Sequence, residues 1–310
     1  MSIASQKLPV VKHPYQNHAM DSLRWNFFVP RADDIVVATS YKAGTTWVQE
    51  IVKNLIFSGE DVVGGIDDIS PWLDFRLLPL EVILTALERQ THRRSIKTHL
   101  PLDSLPFHQN VKYLYVGRDP RDVFMSWWNF YSNFTPQAID GFNGVPGRVG
   151  AEMTQCPDDI HELWRGWMTR GSFEWETEGY PFWSVLRHAQ SWWDYRHLPN
   201  ILFVHYADLL VDLEDGIRRI AGFLEIDPRA EVLPLIVRKC TFSQMKTHGA
   251  ELMPRSQMIL KGGADSFFHK GTNGRWREVL SIDELKLYDA AAERELTPDC
   301  RRWLENGSDV

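Results

Sequence analysis

Cysteine is scarce in this chain. Cys156, Cys240 and Cys300 are the only three in 310 residues, far apart and at no metal-ligand spacing. So odd and scattered a set argues against a disulfide framework or a metal site, and for a reducing compartment, the cytoplasm. Long apolar runs are missing as well. No stretch approaches the roughly 20 residues that a membrane-spanning helix needs. Met1 to Met20 carries charge, His and Pro where an export signal has an apolar centre. An excess of positive charge is lacking: 34 Lys and Arg stand against 41 Asp and Glu, a formal net charge of −7. That balance excludes a general binder of nucleic acid or anionic membrane. Any anionic ligand must be held by local cations against the field of the whole chain. Two phosphate-binding signatures are absent too, Gly-x-x-x-x-Gly-Lys-Ser/Thr and, after any strand, Gly-x-Gly-x-x-Gly. ATPase and dinucleotide-binding readings lose their usual support with them.

What the chain has in plenty is tryptophan, 13 residues, with adjacent pairs at Trp127-Trp128 and Trp192-Trp193. Trp fills cores and pocket walls, so either bulky packing or a grip on flat, apolar ligands accounts for them. Ile35 to Thr39 (IVVAT) is a short β-branched run that reads as a buried parallel strand. A glycine-containing turn, SYKAGTT, follows it, and Trp47 to Phe57 then has helical apolar spacing. The rhythm recurs. Arg94 to Thr98, Val111 to Val116 and Ile201 to Val204 read as strands, and helices are expected from Pro120 through Tyr131 and over Leu213 to Leu224. Alternating strands and helices predict an α/β fold: one domain over residues 1–310, a central mostly parallel sheet with helices on both faces. Residues 133–180 break the rhythm except for a helical stretch near Asp158 to Met168, and read as a long insertion, a lid over a site or surface decoration. Residues 246–275, rich in Gly, Lys and Arg, read as an irregular, flexible loop, and 282–305 as helical.

Three segments carry chemistry. Lys42-Ala-Gly-Thr-Thr lies between the first strand and the first helix. There, backbone N–H groups and the helix dipole favour an anion. Gly44 allows close approach, Thr45 and Thr46 add hydroxyls, and Lys42 adds charge. The bland alternative is a helix cap beside a surface lysine. Lys97-Thr-His99-Leu-Pro ends the second strand. Lys97 and His99 fall on the same side of an extended chain, which suits transfer of an anionic group, although a lone His is more often structural. Gly117-Arg118-Asp119-Pro120-Arg121-Asp122 ends the third strand, with Ser126 about two helical turns on. Arg118 can clamp a phosphate or simply pair with Asp122 at the surface.

Taken together, these three motifs resemble the cytosolic sulfotransferase family that uses 3′-phosphoadenosine 5′-phosphosulfate (PAPS), of aryl and steroid type. The resemblance runs from about Asp34 to Arg277. Ser70 to Pro79 (SPWLDFRLLP) and His92 to Leu105 also resemble bacterial glycolipid sulfotransferases. The resemblance implies a P-loop-like three-layer sandwich and transfer of the sulfuryl group from PAPS to a hydroxyl of a small phenol, sterol or glycolipid. It implies that Lys42, Gly44, Thr45 and Thr46 hold the 5′-phosphosulfate and that Trp47, Tyr206, Thr241 and Phe242 surround adenine. Arg118, Ser126, Lys270 and Gly271 would hold the 3′-phosphate, with His269 where the family has Arg. Trp72 and Phe75 would wall the acceptor pocket, and His99 would be the general base, helped by Lys42 and Lys97, with no metal.

The chain departs from the family pattern at Tyr41 (usually Pro), Ala43 (usually Ser) and Cys240 (usually Thr). The family's dimer motif maps onto Arg277, Ser281, Ile282 and Lys286 in degenerate form, with a charge reversal at the last, so the usual dimer is not expected. Two rivals remain at the level of sequence: an ATP-dependent kinase-like enzyme, which calls for a Gly-Lys-Ser/Thr loop, and a non-catalytic PAPS-binding protein, which has no need of His99 and Lys42.

Overall fold

In the computed structural model, residues 7–308 are described. The first six residues of the segment read for an export signal lie outside them. Four strands form one sheet in the order β2-β1-β3-β4: β1 Ile35–Thr39, β2 Ser95–Thr98, β3 Lys112–Gly117 and β4 Ile201–His205. All neighbours run parallel, with Val37 opposite Lys97, Thr39 opposite Val116, and Gly117 opposite His205. After β1 the chain steps to one side for β2 and then returns to the other side for β3. The strand order therefore reverses beside β1, and a crevice opens at the C-terminal ends there.

Among the helices that cover the sheet and position the site are α1 Thr45–Ile56, α2 Pro120–Ser132, α3 Ile160–Thr169, α4 Val185–Trp193, α5 Leu213–Leu224, α6 Ile282–Glu295 and α7 Pro298–Asn306. Every residue of β1 is buried, as expected of a central strand covered on both faces. Alternation does the sorting. Ile35, Val37, Leu114 and Val116 face α1 and α5 through Val48, Ile51, Val52, Ile217 and Ile220. Val36, Ala38, Tyr113 and Tyr115 face the other layer, where Trp127, Trp164, Trp192, Tyr288 and Trp303 pack. The tryptophan excess is thus largely one thick aromatic layer. No helix among the described residues is long and apolar enough to cross a membrane.

Three expectations need adjustment. Residues 282–305 are two helices, because Leu296 is extended and Pro298 opens the second; a proline lacks the N–H that a continuous helix would need. Residues 246–275 hold three short helical turns, Gly249–Leu252, Ser256–Ile259 and Gly263–Phe267. Gly262, at positive φ, caps the third of these, and Gly274, also at positive φ, caps the turn Arg275–Glu278 that follows. Residues 133–180 are not surface decoration, since Phe134, Phe142, Met153, Trp164 and Trp167 belong to the main core. In the degenerate dimer motif, Ser281 caps α6 in a capping box with Glu284, Ile282 is 76% exposed and Lys286 pairs with Asp283.

Candidate active site

The ends of β1, β2 and β3 deliver Lys42, His99 and Arg118 to one cavity of about 310 Å³. Its phosphate end is the head of α1. Gly44 caps that helix at φ 112, and a side chain there would bring a Cβ within 2.8 Å of the Tyr206 ring. Lys42 has φ 60, so the loop turns sharply on both sides of Ala43. The Lys42 ammonium sits between the rings of Phe130 and Phe267, at 4.3 and 4.2 Å from their centroids. Burial, with Arg118 and Lys97 nearby, lowers its pKa to about 7.

At the chemical centre, His99 is buried, and its Nδ1 lies 2.8 Å from the carbonyl oxygen of Thr39. A carbonyl only accepts, so Nδ1 carries the proton and Nε2 keeps its lone pair. Burial first, and Lys97 next, hold the imidazole well below its usual pKa, so it is neutral. The Thr39 hydroxyl also meets Thr45 Oγ1 at 2.5 Å and His99 Nδ1 at 3.2 Å, which joins the strand end, the phosphate loop and the imidazole. Lys97 lies over the Trp72 ring at 4.7 Å. Residues 71–73 reach it because they run beside the free edge of β2: Lys97 N donates to the Pro71 carbonyl and Leu73 N to that of Lys97.

Arg118 closes the other end. It is buried, stacks over Tyr206 at 4.0 Å, and donates to the carbonyls of Lys42 (3.2 Å) and Thr272 (3.1 Å) and to Asn273 Oδ1 (3.1 Å). The alternative pairing with Asp122 does not form. Asp122 instead accepts from Gly274 N, while Asp119 caps α2 and pairs with Arg121. Among the described residues, Lys42, Lys97 and Arg118 have no carboxylate at ion-pair distance. Three cations facing one cavity without an internal counter-charge make a site for a polyanion.

Of the other anticipated residues, Thr45, Thr46, Trp47, Ser126, Tyr206, Phe242, His269, Lys270 and Gly271 all line the cavity. Trp47 stands edge-on to Tyr206 at 5.1 Å and donates through Nε1 to the Cys240 carbonyl at 2.7 Å. Gly271 lies against Phe242, where an added Cβ would come within 2.6 Å of the ring. Thr241 does not line the cavity. Its hydroxyl donates to the Arg238 carbonyl and caps the short helix Phe242–Thr247. Trp72 and Phe75 stack at 4.5 Å in the apolar end, with Phe142, Phe182 and Trp183.

Sequence reasoning missed several contributors. Tyr41 lines the cavity, donates to the Trp183 carbonyl and accepts from Trp167 Nε1. Phe130 was legible as the residue four beyond Ser126 on the same face of α2. Asp74 is buried and accepts from Trp72 Nε1 (2.6 Å), Trp25 Nε1 (3.0 Å) and His99 N (3.4 Å), and so orients both the ring beside Lys97 and the strand end. Arg275, also in the lining, had no signal in its neighbourhood.

The chain is similar to known proteins over most of its length. The family model described as "Sulfotransferase domain" matches residues 32–298. A glycolipid sulfotransferase of Mycobacterium tuberculosis is 30% identical over 307 residues, 94% of each chain. Sulfotransferase 1A1 of Canis lupus familiaris is 28% identical, over 91% of this chain and 88% of that one. Among solved structures, mouse sulfotransferase SULT7A1 complexed with PAP, the desulfated product of PAPS, shares the fold with a TM-score of 0.68 at 22% identity, covering 91% of this chain and 92% of that one. A retinol dehydratase in complex with retinol and PAP has the same TM-score at 23% identity, over 89% of this chain and 84% of that one. The chain belongs to the sulfotransferase domain family, and it is an enzyme that transfers a sulfuryl group from PAPS to a hydroxyl acceptor.

Proposed function

We propose that His99 is the general base, that Lys42 and Lys97 are its electrostatic partners, and that the acceptor is a small apolar or aromatic alcohol held between Trp72 and Phe75 and the rings beyond. The observation that carries this reading is the neutral His99 with a free Nε2, set between unpaired lysines and an aromatic pocket. Such walls suit a phenol, a sterol or the hydroxyl-bearing head of a glycolipid.

The residues fit the sulfuryl donor. The N–H groups at the head of α1, the hydroxyls of Thr45 and Thr46, and Lys42 hold the 5′-phosphosulfate. Trp47, Tyr206 and Phe242 enclose adenine, and Thr241 acts through the cap of the helix that carries Phe242. Arg118, Ser126, His269, Lys270 and Gly271 take the 3′-phosphate. The turns over 246–275 close this side, and residues 133–180 act as a lid through Phe134 and Phe142.

The step is an in-line displacement. His99 Nε2 accepts the acceptor's hydroxyl proton as that oxygen bonds to sulfur. The bond from sulfur to the 5′-phosphate oxygen breaks, and its electron pair leaves with PAP. Lys42 offsets the charge growing on that phosphate, and Lys97 the charge on the sulfuryl oxygens. Preorganised charge of this kind often supplies the larger share of the acceleration. His99→Ala is expected to lower turnover by about 10²–10⁴ or more while leaving the PAP dissociation constant nearly unchanged. Near-normal turnover on the acceptor would remove His99 from the chemistry. Lys42→Ala is expected to lower the maximal rate at saturating PAPS, and an unchanged rate would remove Lys42 likewise. A screen of phenols, sterols and glycolipids with labelled PAPS identifies the acceptor class.

A further inference from the structure

The reading above leaves two arginines of the cavity wall without a task, Arg255 and Arg275, and Arg255 is paired with Asp68 at 3.1 Å. Arg275 follows Gly274, whose φ of 83 turns the chain and whose N–H donates to Asp122 Oδ1 at 2.7 Å. That bond ties the start of the turn Arg275–Glu278 to the first turn of α2, a few residues from Arg118. The side chain then enters the cavity. Among the described residues no carboxylate pairs with it, and its Nε is buried with no hydrogen-bond partner. An orphaned guanidinium donor is costly to bury, and two guanidinium groups sharing one cavity repel each other.

The surroundings define what would relieve this. Burial and the charge of Arg118 both lower the pKa of Arg275, while Asp122 opposes them. Asp122 cannot serve as the full counter-ion. Burial and neighbouring Asp119 raise its pKa to about 6, and its Oδ1 is already committed to Gly274. His269 does not supply the charge either. It is largely exposed, and the partial loss of water around it, together with the charges of Arg275, Lys270 and Lys246, pushes its pKa down, so it is neutral near pH 7. Arg277, two residues on, has the same charge but stacks outward on Trp276 at 4.5 Å and is exposed.

We infer that Arg275 is a specificity-determining residue that donates, with Arg118, to the 3′-phosphate of the donor nucleotide, and so sets the preference for a 3′-phosphorylated adenosine. The inference rests on the PAPS reading of the cavity. A guanidinium suits the task because its planar fork meets two phosphate oxygens at once.

The test compares two ligands on the full chain, PAP and adenosine 5′-monophosphate, which differ only in the 3′-phosphate. Dissociation constants are measured by calorimetry for the wild type, Arg275→Ala, Arg275→Lys and Arg277→Ala. Arg275→Ala is expected to weaken PAP by roughly tenfold or more, as loss of a charge-assisted contact does, with adenosine 5′-monophosphate unchanged. Arg275→Lys should recover part of the difference, and Arg277→Ala should match the wild type. Because an unliganded repulsion is removed, unliganded Arg275→Ala should melt no lower than the wild type, which separates a lost contact from a damaged fold. If the wild type prefers PAP and Arg275→Ala keeps that preference in full, the inference is overturned and the PAPS reading stands. Equal losses for both ligands, or an equal effect from Arg277→Ala, also overturn it. If the wild type binds the two ligands equally, the 3′-phosphate reading of the cavity falls and this inference with it.

Discussion

Gly44 concentrates the constraints of the site in one residue. Its φ of 112 is a backbone state that L side chains rarely adopt, and the Tyr206 ring occupies the space a Cβ would need. Gly44→Ala should therefore destabilise the unliganded protein by about 1–3 kcal/mol, the usual cost of a forced backbone outlier, and weaken PAP by displacing Tyr206. Chemical unfolding and a PAP titration check the two effects. An unchanged midpoint would mean that the loop relaxes without strain. Gly44, Lys42 and His99 were legible because small motifs at strand ends announce them. Asp74 and Arg275 were not. Asp74 matters through two indole N–H groups, one of them from Trp25, distant in the chain. Arg275 in Gly-Arg-Trp-Arg looks like any solvated cation until the turn at Gly274 decides which of the two arginines points inward.

At the level of elements, β1 and β2 are locked at their N-terminal ends by a buried ion pair. Arg94 donates to Asp34 from Nε at 2.7 Å and from Nη2 at 2.5 Å, and both residues are essentially inaccessible. The Arg94 carbonyl accepts from Ile35 N. Asp34→Ala would leave a buried guanidinium with the Val29 carbonyl at 2.9 Å and, as its one carboxylate among the described residues, the exposed Glu88 at 3.6 Å. The expected loss is about 3–5 kcal/mol by denaturant unfolding, with activity per folded molecule little changed, since the pair lies at the far end of the strands from the cavity. A loss under about 1 kcal/mol would show that Glu88 or water compensates. Strand and helix positions were read correctly to within a residue or two where the apolar period was clean, as in Ile35–Thr39 and Leu213–Leu224. The reading failed where one proline decides, between α6 and α7, and where glycines bound short turns, in 249–267.

For the whole molecule the contrast is between global and local charge. The chain carries −7, yet its cavity gathers Lys42, Lys97, Arg118 and Arg275, which have no carboxylate at ion-pair distance among the described residues. This arrangement predicts a pH dependence for product binding. Lys42 has a pKa of about 7 in the free protein, depressed by burial, Arg118 and Lys97. A bound phosphate raises that pKa. Below pH 7 Lys42 is already charged and adds no slope. Above pH 7 binding must take up a proton, so PAP affinity should fall as pH rises, by up to about tenfold per unit. The phosphates of PAP, with second pKa values near 6, are fully charged in that window and do not mask the effect. PAP titrations from pH 6 to 9 check this. Lys42→Met should bind more weakly at pH 6 and lose most of the slope, and an undiminished slope in that variant would assign the proton elsewhere.

By itself the sequence determined the local facts: where β-branched runs make strands, where Gly44 permits a phosphate-binding turn, and that no long apolar run interrupts the alternation of strands and helices. Those follow from bond rotation, side-chain branching and short-range spacing. Only the tertiary structure decided which groups share the cavity: that Arg118 turns away from Asp122, that the protonated Nδ1 of His99 bonds to Thr39, that Thr241 caps a helix outside the wall, and that Arg275 rather than Arg277 faces inward. Such choices depend on distant segments competing for the same space and the same hydrogen bonds, and no pattern within a few residues encodes that competition.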